Sequence, residues 1–329
     1  MARPVTIFTG QWADLTFETV CQKMSEFGYD GLEICTWGDH MDVKRAANDP
    51  AYVSERKAIL AKYGLGCWAI GAHLAGQCVA SLYDPRYDGF TPAEYKGSEE
   101  RMREWATEEM KLTARAAKNM GVSVVTCFIG SPLWNYWYSF PQTSQEQVDA
   151  AFKRVVELWD PILDVFDECG VRFALEVHPT EIAFDYYSAE KLLDAFGRRP
   201  AFGFNFDPSH LFWQGLNPAL FLRDFADRIY HVHMKDVAVT LDGRAGILGS
   251  HIEFGDGRRG WNFRSLGHGH VNFEEIIREL NAMNYKGPLS VEWEDSAMER
   301  EFGAREACMF VRRVDFSPSN FAFDDALKK

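Results

Sequence analysis

Short apolar runs rich in β-branched and aromatic residues alternate with longer amphipathic stretches along the whole chain. The first kind reads as buried parallel strands, the second as helices that lay one apolar stripe on a sheet. Strands are predicted at VTIFTG (5–10), GLEICTW (31–37), LGCWAIGAHL (65–74), SVVTCFIG (123–130), RFALEVHP (172–179), AFGFNFD (201–207), IYHVHMKD (229–236) and GPLSVEWED (287–295). Helices are predicted over 15–27, 50–63, 98–120, 145–169, 188–196, 217–226, 273–283 and 298–313. Eight strand–helix pairs in succession point to an α/β fold, a (β/α)8 TIM barrel, whose functional groups gather at the carboxyl ends of the strands. A doubly wound sheet binding a dinucleotide would need a GxGxxG turn after its first strand, and TGQWADL offers none. With no break in composition, residues 1–313 are read as a single barrel and 314–329 as a C-terminal tail packing on the barrel or on a neighbouring subunit.

Three insertions fall on the carboxyl side of the strands, at 75–97, at 131–145 and in a Gly-rich stretch over 237–270. Loops at that end of a barrel usually set specificity. The second contains SPLWNYWYSF (131–140), too apolar for an ordinary solvent loop, and is expected to cover a pocket or a partner.

Charge narrows the function. A net charge of -13 and a pI near 5.2 oppose a nucleic-acid partner, which needs a basic face, and suit small neutral substrates. No apolar run is long enough to span a bilayer, and MARPVTIFTG enters a strand directly, so no membrane association and a cytoplasmic location are expected. The seven cysteines are scattered without CxxC spacing and read as reduced core thiols.

Four side chains close predicted strands in the second half of the chain: Glu176 in RFALEVHP, Asp207 in FNFDPSH, His233 in YHVHMKD and Glu292 in LSVEWED. One carboxylate at such a place is ordinarily ion-paired or capping, but four in succession spell a divalent-metal site. Three carboxylates and one imidazole make a hard, anionic cage suited to Mn²⁺, Mg²⁺ or Co²⁺ rather than to a structural zinc. Because side chains alternate along a strand, Glu176 and His178 point to the same side, as do His231 and His233. Of the latter pair His233 lies nearer the carboxyl end and is taken as the ligand. His231 is left as a core histidine or a partner that orients a ligand. His210, three residues beyond Asp207, is placed for substrate contact.

With LEVHP, FDPSH, HVHMKD and VEWED in this order on these strands, the chain resembles the xylose isomerase-like TIM barrels, sugar phosphate isomerases and epimerases, over about 5–313. Tagatose and psicose 3-epimerases typify that family. The resemblance implies one divalent ion, manganese first with magnesium or cobalt as alternatives, held by Glu176, Asp207, His233 and Glu292. It implies Glu176 and Glu292 as acid and base on opposite faces of a keto sugar. A C–H beside a carbonyl is a very weak acid, so the chemistry calls for a positioned carboxylate and a cation to hold the developing negative charge. Glu33 and His73, at strand ends where the family contacts substrate, are carried over as substrate-binding residues. GHGHVNFEE (267–275) resembles the family's glycine segment before the seventh helix, with His268 and His270 as departures, and is expected to bring backbone close to substrate.

The reading is thus a metal-dependent sugar isomerase or epimerase. Its rival is a lyase, because metal subunits that cleave 3-keto-glycosides, C-glycoside deglycosidases among them, resemble these barrels; His178 would then be the catalytic base that drives elimination. An endonuclease-IV-like enzyme is the remote alternative, and it would need a three-zinc cluster and a basic surface, against 48 acidic and 35 basic residues here. The expected partner is a small sugar, with the chain as a homo-oligomer, or in complex with a small second subunit if the lyase reading holds.

Overall fold

In the computed structural model, which describes residues 2–327, every predicted strand forms and each is shorter than its apolar run. The chain runs β1 (Val5–Phe8), α1 (Phe17–Phe27), β2 (Gly31–Cys35), α2 (Val43–Asn48), α3 (Pro50–Lys62), β3 (Gly66–Gly71), α4 (His73–Ala80), α5 (Glu99–Met120), β4 (Val124–Cys127), α6 (Gln145–Cys169) and β5 (Arg172–Glu176). It continues through α7 (Tyr186–Ala195), β6 (Phe202–Phe206), α8 (Pro208–Trp213), α9 (Pro218–Asp224), β7 (Ile229–Met234), β8 (Asp236–Val239), β9 (Trp261–Arg264), α10 (Phe273–Ala282), β10 (Leu289–Val291) and α11 (Arg300–Val314). Eight strands close in the order β1-β10-β7-β6-β5-β4-β3-β2, each pair parallel. Long helices start and stop on local signals: α6 opens on a capping box between Ser144 and Gln147 and closes on left-handed Gly170. The helix α5 buries Met102, Ala106, Met110, Ala114 and Ala117, a stripe at helical spacing that faces the core.

Two departures from the predicted pattern bear on the site. The helices α4 and α8 start directly after strands, so LGCWAIGAHL ends as a strand at Gly71 and His73 begins a helix. Apolar runs alone do not separate strand from buried helix. Within the Gly-rich stretch, β8 and β9 pair antiparallel outside the barrel, with Asp236 opposite Arg264 and Val239 opposite Trp261.

The glycine segment after this hairpin does not approach the mouth of the barrel. It wraps the buried Asp236 carboxylate, which accepts backbone N–H groups from Val237, Gly267, Gly269 and Val271 at 2.8–3.1 Å. A Cβ on Gly269 would lie 2.2 Å from Asp236 Oδ1, so glycine is required there by a carboxylate and not by a substrate. His268 pairs with Glu306 on the surface, and His270 Nδ1 accepts the Val239 N–H.

Opposite the hairpin, Asp315 and the Phe316 carbonyl bond to Arg3 and Asn281, which ties the start of the tail to its own barrel. All seven cysteines are free. Among the described residues no helix is long and apolar enough to cross a membrane.

Glu181 joins the loops after β4 and β5. Its buried carboxylate accepts the Ile129 and Gly130 N–H groups, and its own N–H donates to the His178 carbonyl. Burial pushes the carboxyl from its ordinary 4.5 up to about 7 despite those bonds. A folded-state value above the unfolded one favours the protonated form, so this contribution to stability is full below about 4.5 and is lost as pH rises through about 7. Glu181→Gln, which keeps an acceptor for both N–H groups, is expected to gain roughly 2 to 3 kcal/mol on the native protein between pH 5 and pH 8. Urea denaturation of both proteins at the two pH values measures this, and parallel pH profiles would contradict it.

Candidate functional site

The strands β5, β6, β7 and β10 are consecutive neighbours in the barrel, and each brings one candidate ligand to its carboxyl end. Glu176 is the last residue of β5, Asp207 follows β6, His233 lies near the end of β7 and Glu292 follows β10. Each offers one ligand atom, and these atoms all lie within 4.8 Å of one another.

Two local devices orient them. Asp207 caps α8, its Oδ1 accepting the Ser209 N–H and hydroxyl at 2.7 Å each, which leaves Oδ2 buried without a hydrogen bond. His233 lies with Nε2 2.9 Å from Glu33 Oε2, so Nδ1 faces Glu292 Oε2 at 2.9 Å and Glu176 Oε2 at 3.1 Å. Glu33 is itself held by the Ser290 hydroxyl at 2.7 Å, the Thr126 hydroxyl at 2.5 Å and His231 Nε2 at 2.9 Å. His231 is thus a partner in orienting the ligand, and Glu33 fixes which nitrogen of His233 is offered to the site.

The charges are those of a cation site. Burial opposes ionisation of Glu33 and Glu176, but the neighbouring imidazoles together, His233 foremost, outweigh it and hold both carboxyls well below their ordinary range. Burial likewise opposes a charge on His233, yet Glu33, Glu176 and Glu292 pull its protonation well above the ordinary value. Asp207 is pushed up by burial. A field that draws a proton onto this imidazole draws a divalent cation in its place. The oxygen-rich donor set and the orphaned Asp207 Oδ2 fit such an ion.

The other expected residues divide. His178 and His210 line the cavity above the ligands, with ring centroids 4.1 Å apart. His210 Nε2 lies 3.4 Å from Glu176 Oε1 and 3.5 Å from Asp207 Oδ2. Burial and the neighbouring His210 keep His178 well below its ordinary value, a neutral imidazole able to take a proton. Glu33 and His73, expected at the substrate, lie behind the ligand set instead. Neither lines the cavity; His73 is buried between Phe8 and Phe128 with Nε2 3.3 Å from Glu176 Oε2.

Sequence reasoning missed Lys235, Asn205 and Gln11. Lys235 is buried on the cavity wall, 3.0 Å from Glu292 Oε1 and 3.1 Å from Glu294 Oε2. Burial works against its charge, but the two glutamates hold the ammonium well above its ordinary value. Lys235 in turn helps hold Glu292 down to about 2 against burial. The Asn205 amide donates to Glu176 Oε2 at 3.0 Å, and that of Gln11 to Glu292 Oε1 at 3.3 Å. Lys235 stands two residues after His233 and Asn205 two before Asp207, so the alternation that paired Glu176 with His178 would have found both.

Above this centre opens a cavity of about 1080 Å³. Its walls come from the aromatic loop after β4, the β8–β9 hairpin and α8. The aromatic run over 131–140 supplies Trp134 and Trp137 as one wall.

A family model described as a xylose isomerase-like TIM barrel matches residues 21–314. The chain belongs to the xylose isomerase-like TIM barrel family. Among relatives of this family member, protein YfiH of Bacillus subtilis, whose function is uncharacterised, is 26% identical over 93% of this chain and 97% of its own length. An inosose dehydratase of Clostridium beijerinckii is 37% identical over 98 residues, 30% of this chain and 32% of that protein. The 3-keto-D-glucoside 4-epimerase YcjR of E. coli superposes with a TM-score of 0.66 at 18% identity, covering 94% of this chain and 99% of that one. A xylose isomerase-like TIM barrel protein from Mycobacterium smegmatis in complex with magnesium superposes with a TM-score of 0.64 at 16% identity, covering 95% and 96%.

Glu33→Gln removes the charge behind His233 while keeping its shape. Mn²⁺ affinity, measured by titration calorimetry, is expected to fall roughly 10- to 100-fold while cooperative melting is retained. Undiminished affinity would show that His233 is oriented without Glu33.

Proposed function

We propose that this protein is a metal-dependent sugar isomerase or epimerase that moves a proton at the carbon beside a keto sugar's carbonyl. The observation that carries the reading is the convergence of Glu176, Asp207, His233 and Glu292 beneath a cavity that Glu176 and Glu292 line, with Asp207 Oδ2 buried and without a hydrogen bond. Those four side chains would hold the ion; the oxygen-rich set suits manganese, magnesium or cobalt, and the family resemblance favours manganese. The chemistry such an ion supplies is polarisation of the carbonyl oxygen, worth several kcal/mol of charge stabilisation.

The chain's own groups do the rest. Glu176 and Glu292 stand on the outer two of four adjacent strands, flanking the space between, and both are held as carboxylates ready to accept a proton. Removal by one inverts a carbon centre when the other, having first taken a proton from water, returns it on the opposite face. Lys235 holds Glu292 in place and adds positive charge where negative charge develops. The likeness to a 3-keto-glucoside epimerase supports the choice of a keto sugar.

Elimination is the second reading, favoured by His178. A neutral imidazole beside the ligand set offers a further proton carrier that inversion alone does not require. The local match to inosose dehydratases supports the same alternative.

The test is to incubate manganese-loaded protein in D₂O with a panel of ketoses and 3-keto-glycosides and follow the sugars by NMR. Deuterium is expected beside the carbonyl. Glu292→Gln is expected to slow its entry roughly 10²- to 10⁴-fold without loss of fold. Deuterated, rearranged sugar marks the isomerase or epimerase; loss of a hydroxyl or an aglycone marks elimination. No exchange across the panel, or full activity in Glu292→Gln, would sink the reading.

A further inference from the structure

The cavity is larger than the chemistry at its floor requires. About 1080 Å³ stands at the upper end of the ~300–1000 Å³ in which pockets enclose drug-sized ligands, far beyond the needs of one sugar ring. Its lower part is polar, lined by Glu176, Glu292, His178, His210 and Lys235. Its upper part is made of ring faces. On one side Trp134 and Trp137 stack at 5.7 Å and 14°. On the other, Trp213 and Trp261 stack at 4.2 Å and 5°.

The second wall is set rigidly before anything binds. The Arg259 guanidinium lies 4.0 Å from the Phe254 ring centre and 4.4 Å from that of Trp261, and its Nη1 donates to the Ile252 carbonyl. The Trp261 indole donates to the Ile247 carbonyl at 2.9 Å. Gln214, between the walls, gives its amide to the Phe184 and His210 carbonyls. A second sugar ring, with a hydroxyl on most carbons, would find free polar partners at the exposed Ser250 and His251 but none on the indole faces. Flat apolar ring faces fit a flat aromatic ring.

We propose that the upper part of the cavity is a subsite for an aromatic aglycone, so that the substrate is an aryl glycoside of a keto sugar and not a free sugar. This rests on the reading of the cavity floor as a sugar proton-transfer centre. The sugar ring sits over the ligand set, and the aromatic ring lies between the two indole pairs.

Dissociation constants for manganese-loaded protein with phenyl 3-keto-glucoside, methyl 3-keto-glucoside and a 3-keto-disaccharide test this, with deuterium exchange followed in the same samples. The phenyl compound is expected to bind at least tenfold more tightly than the other two. Trp137→Ala and Phe254→Ala, at side chains each about half exposed and so dispensable to the core, are expected to erase most of that preference. Equal affinity for phenyl and methyl compounds, a disaccharide that matches the phenyl compound, or no binding of any of the three overturns the subsite. Exchange without a phenyl preference leaves the proton-transfer reading standing and removes only the subsite. A phenyl preference without exchange does the reverse.

Discussion

Taking a carboxylate out of water costs several kcal/mol unless a cation or a set of donors answers it. The mouth of this barrel takes out four, Glu33, Glu176, Asp207 and Glu292, around a single imidazole. Each is answered differently. Glu33 has two hydroxyls and two imidazoles, Asp207 has the cap of a short helix on one oxygen only, and Glu292 has Lys235. What stays unanswered points inward to one spot, and the barrel's closure makes the answers available. Only when β10, β7, β6 and β5 lie side by side do residues far apart in the chain share that spot.

Much of this was legible in the sequence, and for a definite reason. Parallel strands covered on both faces are written as continuous apolar runs, so a charged residue at the end of one stands out. Glu176, Asp207, His233 and Glu292 announce themselves in this way, and the eight runs carry the barrel with them. Glu33 stands out equally, yet its role was not readable. Its partners His231 and His233 lie 198 and 200 residues away, and whether a strand-end carboxylate faces the cavity or the barrel interior depends on the stagger of neighbouring strands. The bulge between Leu32 and Glu33 in the pairing with β3 is the kind of local shift that a sequence does not show.

The loops divide along the same line. Composition marked the aromatic segment after β4 as a cover, and Trp134 and Trp137 do line the cavity, while Tyr138 and Phe140 stay exposed. It gave no sign of the facing wall. Trp213 and Trp261 are 48 positions apart in the numbering, on a short helix and a hairpin, and become a wall only by stacking. Nor did composition distinguish glycine that admits a ligand from glycine that admits a carboxylate. Gly269 is needed because Asp236 occupies the space where its side chain would be.

The exit of β7 carries three successive demands on one short stretch of backbone. His233 faces the other ligands and Lys235 the cavity, while Asp236, on the alternate side, anchors the glycine segment and opens the hairpin. Because facing alternates residue by residue, gaining or losing one position between 233 and 236 would exchange these directions and disable the ligand and the lid together. Beyond the paired residues Asp236–Val239, in the tip of the hairpin, no such phase is imposed. Lineages of this fold are therefore free to lengthen, shorten or replace the hairpin, and with it what the cavity recognises, while the reacting groups below keep their setting.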